Sequence, residues 1–119
     1  MHSLFKAAFW LGCVATGALS LSPVDQLPSL VFSVWDKAQH AAGFGLLAVT
    51  GQLAYPRVRS GMVSGLLAYG ALIELAQAAT GWRQGDVADW VADALGIGLA
   101  MVVLHFARQL FTGSKGDAQ

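Results

Sequence analysis

Charge is what this sequence has least of. Only 12% of its 119 residues are Asp, Glu, Lys or Arg, against about a quarter in ordinary soluble domains. A chain so composed cannot cover itself with charge in water. Seven basic and seven acidic residues cancel to a net charge of zero, which removes the basic footprint of a nucleic-acid binder. A single cysteine, Cys13, excludes an intramolecular disulfide framework and any multi-thiolate zinc site. No Gly-rich phosphate loop follows a strand, and no strand is there to carry one, so no cofactor motif is evident. The three prolines, Pro23, Pro28 and Pro56, all fall between apolar segments.

What is abundant is apolar. Hydrophobic residues make up 55% of the chain, and mean hydropathy is +0.56. Four apolar segments stand out, at about 4–21, 38–55, 61–80 and 87–111. Each has the length a helix needs to cross a hydrocarbon core of roughly 30 Å. Lipid offers no partner for backbone groups, so such spans are expected to be helical. Small residues recur in the second and fourth (Gly43, Gly45, Ala48 and Gly51; Ala92, Gly96, Gly98 and Ala100), where they let helix backbones approach closely. The predicted fold is therefore all-α, a polytopic membrane protein. It is a compact bundle of four transmembrane helices over residues 1–112, with 113–119 a flexible cytoplasmic tail. The apolar stretch 30–35 is too short to span and is placed in the interface. Lys6 before the first apolar run, and Ala18-Leu19-Ser20 after it, also admit a cleaved signal peptide.

With four spans, Lys6, Arg57, Arg59, Arg108 and Lys115 fall on one side and only Lys37 and Arg83 on the other. The positive-inside rule then puts both termini in the cytoplasm. Acids do the reverse. Asp25, Asp36, Glu74, Asp86, Asp89 and Asp93 lie towards the outer side, with only Asp117 in the tail. That asymmetry needs its own explanation, because the rule counts basic residues and not acids.

Helical spacing supplies one. Asp36 and His40 are four apart and share a face, Glu74 and Gln77 are three apart, and Asp86, Asp89 and Asp93 form a stripe. His40, Glu74 and Asp93 are each expected roughly 6 to 10 Å inside their helix ends. Ionisable groups within spans are costly, about 2.5 to 3.5 kcal/mol each, so they should face the bundle interior and one another. Three chemistries fit such a cluster. Histidine and carboxylates from facing helices match the ligands of zinc, manganese or iron, although no motif has tight metal-ligand spacing. Neighbouring carboxylates in a low dielectric share protons and leave one ready to donate, which suits general acid/base work. The third reading is structural glue, with Lys37 and Arg83 as counter-charges. Arg83 is placed to pair with Asp86 or to hold a phosphate. Trp82 and Trp90 at the outer interface, and Tyr55 and Phe111 at the inner one, read as an aromatic belt. His105 reads as an interfacial histidine and Cys13 as an apolar filler.

The sequence Asp36-Lys37-Ala38-Gln39-His40 followed by Gly43-Phe44, then Glu74-Leu75-Ala76-Gln77, then Arg83 with Asp86 and Asp89, then Asp93-Ala94-Leu95-Gly96, resembles the VanZ-like family of small bacterial membrane proteins. The family often has Asn where this chain has Asp93, so the buried cluster gains a charge here. The resemblance implies a polytopic protein of the bacterial inner membrane, whose namesake is linked to resistance against glycopeptide antibiotics of the teicoplanin type. It implies no reaction that can be carried over residue by residue.

The leading functional expectation is a site that acts on or binds a cell-envelope component, such as a lipid-linked phosphate or peptidoglycan precursor. His40 and Glu74 are then the candidates for proton transfer. Lys37 and Arg83 would hold an anionic group, with Asp36, Gln77, Asp86, Asp89 and Asp93 binding or orienting, and a divalent metal is compatible. The alternative is a non-enzymatic accessory protein whose polar cluster fixes helix register and presents a surface to another membrane protein. A transporter ranks last, because the cytoplasmic halves of the spans carry no matching ionisable residue apart from His105.

Overall fold

In a computed structural model the chain forms four helices: α1 (His2–Leu21), α2 (Ser29–Ala54), α3 (Arg59–Thr80) and α4 (Val87–Gly113). The structure describes residues 1–23 and 29–113; Asp25 and the tail 114–119, with Lys115 and Asp117, lie outside the described residues. Breakers set the ends. α2 closes just ahead of Pro56, whose ring cannot continue a helix. α3 closes on Gly81, which adopts the left-handed conformation with φ 81°, open to glycine at little cost.

Three helices, α1, α3 and α4, are long and apolar enough to cross a membrane by length and composition. This is the composition of a membrane protein. The expectation of four spans is met only in part, because α2 is not among them. It carries Asp36, Lys37, Gln39, His40, Thr50 and Gln52 together with Gly43, Gly45 and Gly51, which lower its apolarity. Asp36, His40 and Gln52 are buried inside the bundle, where α2 packs against α1, α3 and, most extensively, α4, whereas Gln39 is exposed.

α2 also begins earlier than predicted. The stretch 30–35 is part of the helix, not a separate interfacial segment. No glycine or proline interrupts the sequence between Pro28 and Gly43, so the helix runs through Asp36 and Lys37 once their charges find partners. His40 consequently lies eleven residues into α2, roughly 16 Å from its start, and deeper than the predicted 6 to 10 Å.

The core gathers Phe9 from α1, Phe44, Leu47 and Ala48 from α2, Leu66 and Ile73 from α3, and Ile97 and Met101 from α4. Outside it the pattern of a soluble bundle is inverted. Leu11 and Val14 on α1, Leu72 and Leu75 on α3, and Leu95 and Leu99 on α4 are exposed, an apolar exterior that suits lipid. The tightest seam joins α2 and α4, where a Cβ built at Gly96 would overlap the Ala41 carbonyl oxygen and one at Gly45 would sit 3.3 Å from Gly96 O.

α1 is tied in through its carbonyls. Gln77 Nε2 donates to Ser20 O at 2.8 Å, Trp82 Nε1 to Leu21 O at 3.0 Å, and Arg83 Nη1 to Ser22 O at 3.2 Å. The last carbonyls of a helix lack intrahelical donors, and here the end of α3 and the following turn provide them. Farther along α1, Tyr69 Oη donates to Cys13 O at 2.5 Å, and Cys13 packs on the core as a partly buried filler. Trp90, read from the sequence as an interfacial anchor, also packs inward. It is half-buried, and its Nε1 donates to Leu67 O on α3 at 2.9 Å.

Candidate functional site

Three helices deliver one polar centre. α2 and α4 bring His40 and Asp93 together at 2.7 Å, Nδ1 to Oδ1, with both residues buried. With Asp93 ionised, Nδ1–H is the donor, because a carboxylate can only accept. From α3, Glu74 Oε1 stands 3.8 Å from the same Nδ1. The imidazole lies parallel to the Phe44 ring one turn on, with 2° between planes, which fixes its orientation against the core. Asp93 has room because α3 has no side chain opposite it: a Cβ built at Gly70 would meet Asp93 Oδ2 at 2.5 Å and Trp90 Cδ1 at 3.2 Å.

Around this centre two cations make three ion pairs. Arg83 Nη2 donates to Asp36 Oδ1 at 2.7 Å, both side chains buried. Lys37 Nζ bridges Asp89 Oδ1 at 3.0 Å and Asp86 Oδ2 at 3.1 Å, and also reaches Ser33 Oγ at 3.4 Å. Arg83 thus pairs with Asp36, where the sequence offered Asp86 or a phosphate. The turn folds its guanidinium back over the end of α1, and Lys37, one turn before His40, has already engaged Asp86.

Asp86 caps α4. Its Oδ1 accepts the Ala88 amide at 2.8 Å, the N-cap pattern that satisfies an orphan donor of the first turn. Its own amide donates to Glu74 Oε2 at 2.7 Å, so one carboxylate of α3 locks the start of α4 while its other oxygen faces His40. The Ala88 amide, and then Lys37, hold the Asp86 carboxyl below the usual carboxylate range. At Gly85 a Cβ would overlap the Glu74 carbonyl, so the turn needs glycine to seat this closely on α3.

Polar atoms remain without partners. Among the described residues His40 Nε2, Glu74 Oε1, Gln77 Oε1 and Asp93 Oδ2 are buried with no hydrogen-bond partner, and so is Gln52 Oε1 towards the opposite end of α2. A buried, unpaired polar atom costs roughly 1 to 3 kcal/mol. Two trios place one ligand-type atom from each residue within 4.8 Å of one another: Asp36, His40 and Asp89, and His40, Glu74 and Asp93. Their chemistry, imidazole with carboxylates, could hold a metal.

Of the residues singled out in the sequence, Asp36, Lys37, His40, Glu74, Arg83, Asp86, Asp89 and Asp93 share this cluster. Gln77 does not take part in its ion pairs, since its amide is engaged on the end of α1. Helical spacing missed Gly70, which has no chemistry of its own and resembles its neighbours Gly61 and Gly65. It also missed Ser22, whose contribution is a backbone carbonyl, and Gln52. His105 is exposed, 3.1 Å from Gln109 through its Nε2. A groove of about 380 Å³ runs between α3 and α4, lined by Ala71, Leu75, Ala78, Gly85, Val87 and Trp90, and it reaches Glu74 and Asp86.

No protein-family model, curated protein sequence or solved structure matches the chain.

Proposed function

We propose that this chain is a VanZ-like integral membrane protein of the bacterial inner membrane, with all four helices spanning and both termini cytoplasmic. In this reading the centre at His40 binds or acts on a cell-envelope component. The observation that carries it is the meeting of His40, Glu74 and Asp93 from three helices in one buried centre. Glu74 and Asp93 have no cationic partner among the described residues other than that imidazole. Ionisable groups gathered inside a span mark function by default, because each is costly to keep there. His40 and Glu74 are the pair placed to hold and pass a proton. The groove between α3 and α4 offers a molecule with an apolar tail a lateral route to Glu74.

Lys37 and Arg83 already neutralise carboxylates, so an anionic head group reaches them by displacing Asp36, Asp86 or Asp89. A divalent cation is the cofactor class that suits the centre's ligand chemistry. The test is substitution. Glu74→Gln and His40→Ala, at unchanged protein level and helicity, should each abolish the envelope phenotype of a strain that depends on this protein. Full retention in both would sink the reading.

The ion pairs favour a second reading, in which the cluster is register-fixing glue and the protein is an accessory to another membrane protein. Lys37 and Arg83 tie α2 to the turn and to α4. That reading expects Asp36→Arg to fail alone and to recover when combined with Arg83→Asp, while His40→Ala stays active.

A further inference from the structure

Charge accounting divides the centre. Asp36 is paired with Arg83, and Asp86 and Asp89 share Lys37, which offsets one of their two charges. Glu74 and Asp93 are left with His40 alone among the described residues. With the imidazole neutral, those two carboxylates carry two uncompensated charges in a buried setting; with it protonated, they carry one. Neither state is balanced, and unbalanced charge away from water is expensive, so the centre takes up either a further proton on a carboxylate or a cation. One divalent cation balances the neutral-imidazole state.

Geometry points the same way. The three residues come from α2, α3 and α4, and each offers a ligand-type atom within 4.8 Å of the other two. Glu74 Oε1 faces His40 without a hydrogen-bond partner, and the fully buried Asp93 leaves Oδ2 unpartnered beside Gly70. In the other trio, Asp36 is paired with Arg83 and Asp89 shares Lys37 with Asp86, and those two cations repel a third.

We infer that His40, Glu74 and Asp93 form a divalent-cation site. The inference rests on reading this centre as the working site, but it assumes nothing about the substrate. One imidazole and two carboxylates suit a borderline ion such as Mn²⁺, Fe²⁺ or Zn²⁺ better than an all-oxygen site would. Three protein ligands leave positions for water or for an oxygen of a bound molecule. Cation and proton compete for the same atoms, so binding tightens as pH rises.

The test is Mn²⁺ titration of the full chain purified in detergent, followed by electron paramagnetic resonance, alongside the Glu74→Gln, Asp93→Asn, Asp89→Asn and Asp86→Asn variants. Helicity of each variant is checked by circular dichroism. The expected result is about one Mn²⁺ per wild-type chain, with hyperfine coupling to a histidine nitrogen. Affinity should drop at least tenfold in Glu74→Gln and Asp93→Asn and hold in Asp86→Asn. No binding above a detergent blank by wild-type protein, for Mn²⁺ and equally for Zn²⁺, would overturn it without reference to any variant. So would loss confined to Asp89→Asn. Cation loss with an intact envelope phenotype would uphold the site and reject the functional reading. A lost phenotype in Glu74→Gln with no cation in wild type would do the opposite.

Discussion

Alanine at Gly96 should unseat the pairing of α2 with α4, whereas alanine at Gly98, two residues on, should not. A Cβ built at Gly96 overlaps the Ala41 carbonyl oxygen and lies 2.8 Å from that carbonyl's carbon and 3.0 Å from Ala41 Cα; at Gly98 it meets nothing within 4 Å. Ordinary van der Waals contact starts at 3.4 Å. The obstructing atoms are backbone, which no rotamer can move aside, so the helices must part by on the order of 1 Å. Ala41 follows His40, and Gly96 lies three residues after Asp93, so the same movement stretches the 2.7 Å His40–Asp93 contact. Overpacking costs about 1 to 3 kcal/mol, and weakening a buried hydrogen bond adds about 1 to 3 kcal/mol. Helix propensity returns at most about 1 kcal/mol. For Gly98→Ala the propensity gain of about 0.5 to 1 kcal/mol stands alone. Thermal unfolding of both variants in one detergent, read by circular dichroism, decides the matter. At about 4 °C per kcal/mol, Gly96→Ala should lower Tm by several degrees or more, and Gly98→Ala should leave it level or raise it. Equal Tm values for Gly96→Ala and wild type would refute the close-approach argument.

Gly70→Ala should displace the Asp93 carboxylate at a cost of about 1 to 3 kcal/mol, while Gly65→Ala, with open space at its Cβ, serves as the neutral control in the same melts. Arg83→Gln strands the buried Asp36 carboxylate and should cost about 3 to 5 kcal/mol; adding Asp36→Asn should recover most of that, and an additive double variant would contradict the pairing. Asp86→Ala removes the cap of α4 and should cost about 0.5 to 1 kcal/mol at neutral pH, a modest figure because the group is half-exposed and screened. The Asp86 carboxyl is held below its ordinary value of 3.8, so its contribution is fully present above that pH. It is lost as pH falls through the lower folded value, and acid melts should show the gap between wild type and Asp86→Ala closing only there.

Three of the four helices were legible because their signals agree: long apolar runs of spanning length, ended by Ser22-Pro23 or by Gly81. The start of α2 was not. Asp36 and Lys37 interrupt the hydropathy there, and only tertiary partners, Arg83 and the acids at the start of α4, allow one helix to run through them. Membership of the cluster could be read from the four-residue step between Asp36 and His40 and from the stripe on α4. Pairing within it could not, since Asp86 is the acid near Arg83 in sequence and the fold of the turn gives it Asp36 instead. Gly70 was invisible for a related reason: what it contributes is an absence of atoms opposite Asp93, and sequence records no facing residue.

The central claim is that His40 sits in a buried centre built by Asp93 and Glu74. Nitrogen-15 NMR of histidine-labelled protein in detergent tests it most directly, with the His40 signal assigned by loss in His40→Asn. The expected spectrum has one imidazole distinct from His2 and His105, with Nδ1 protonated and strongly hydrogen-bonded, altered by Asp93→Asn and by Glu74→Gln and unchanged by Asp86→Asn. A His40 signal that matches the exposed histidines and ignores Asp93→Asn would contradict it.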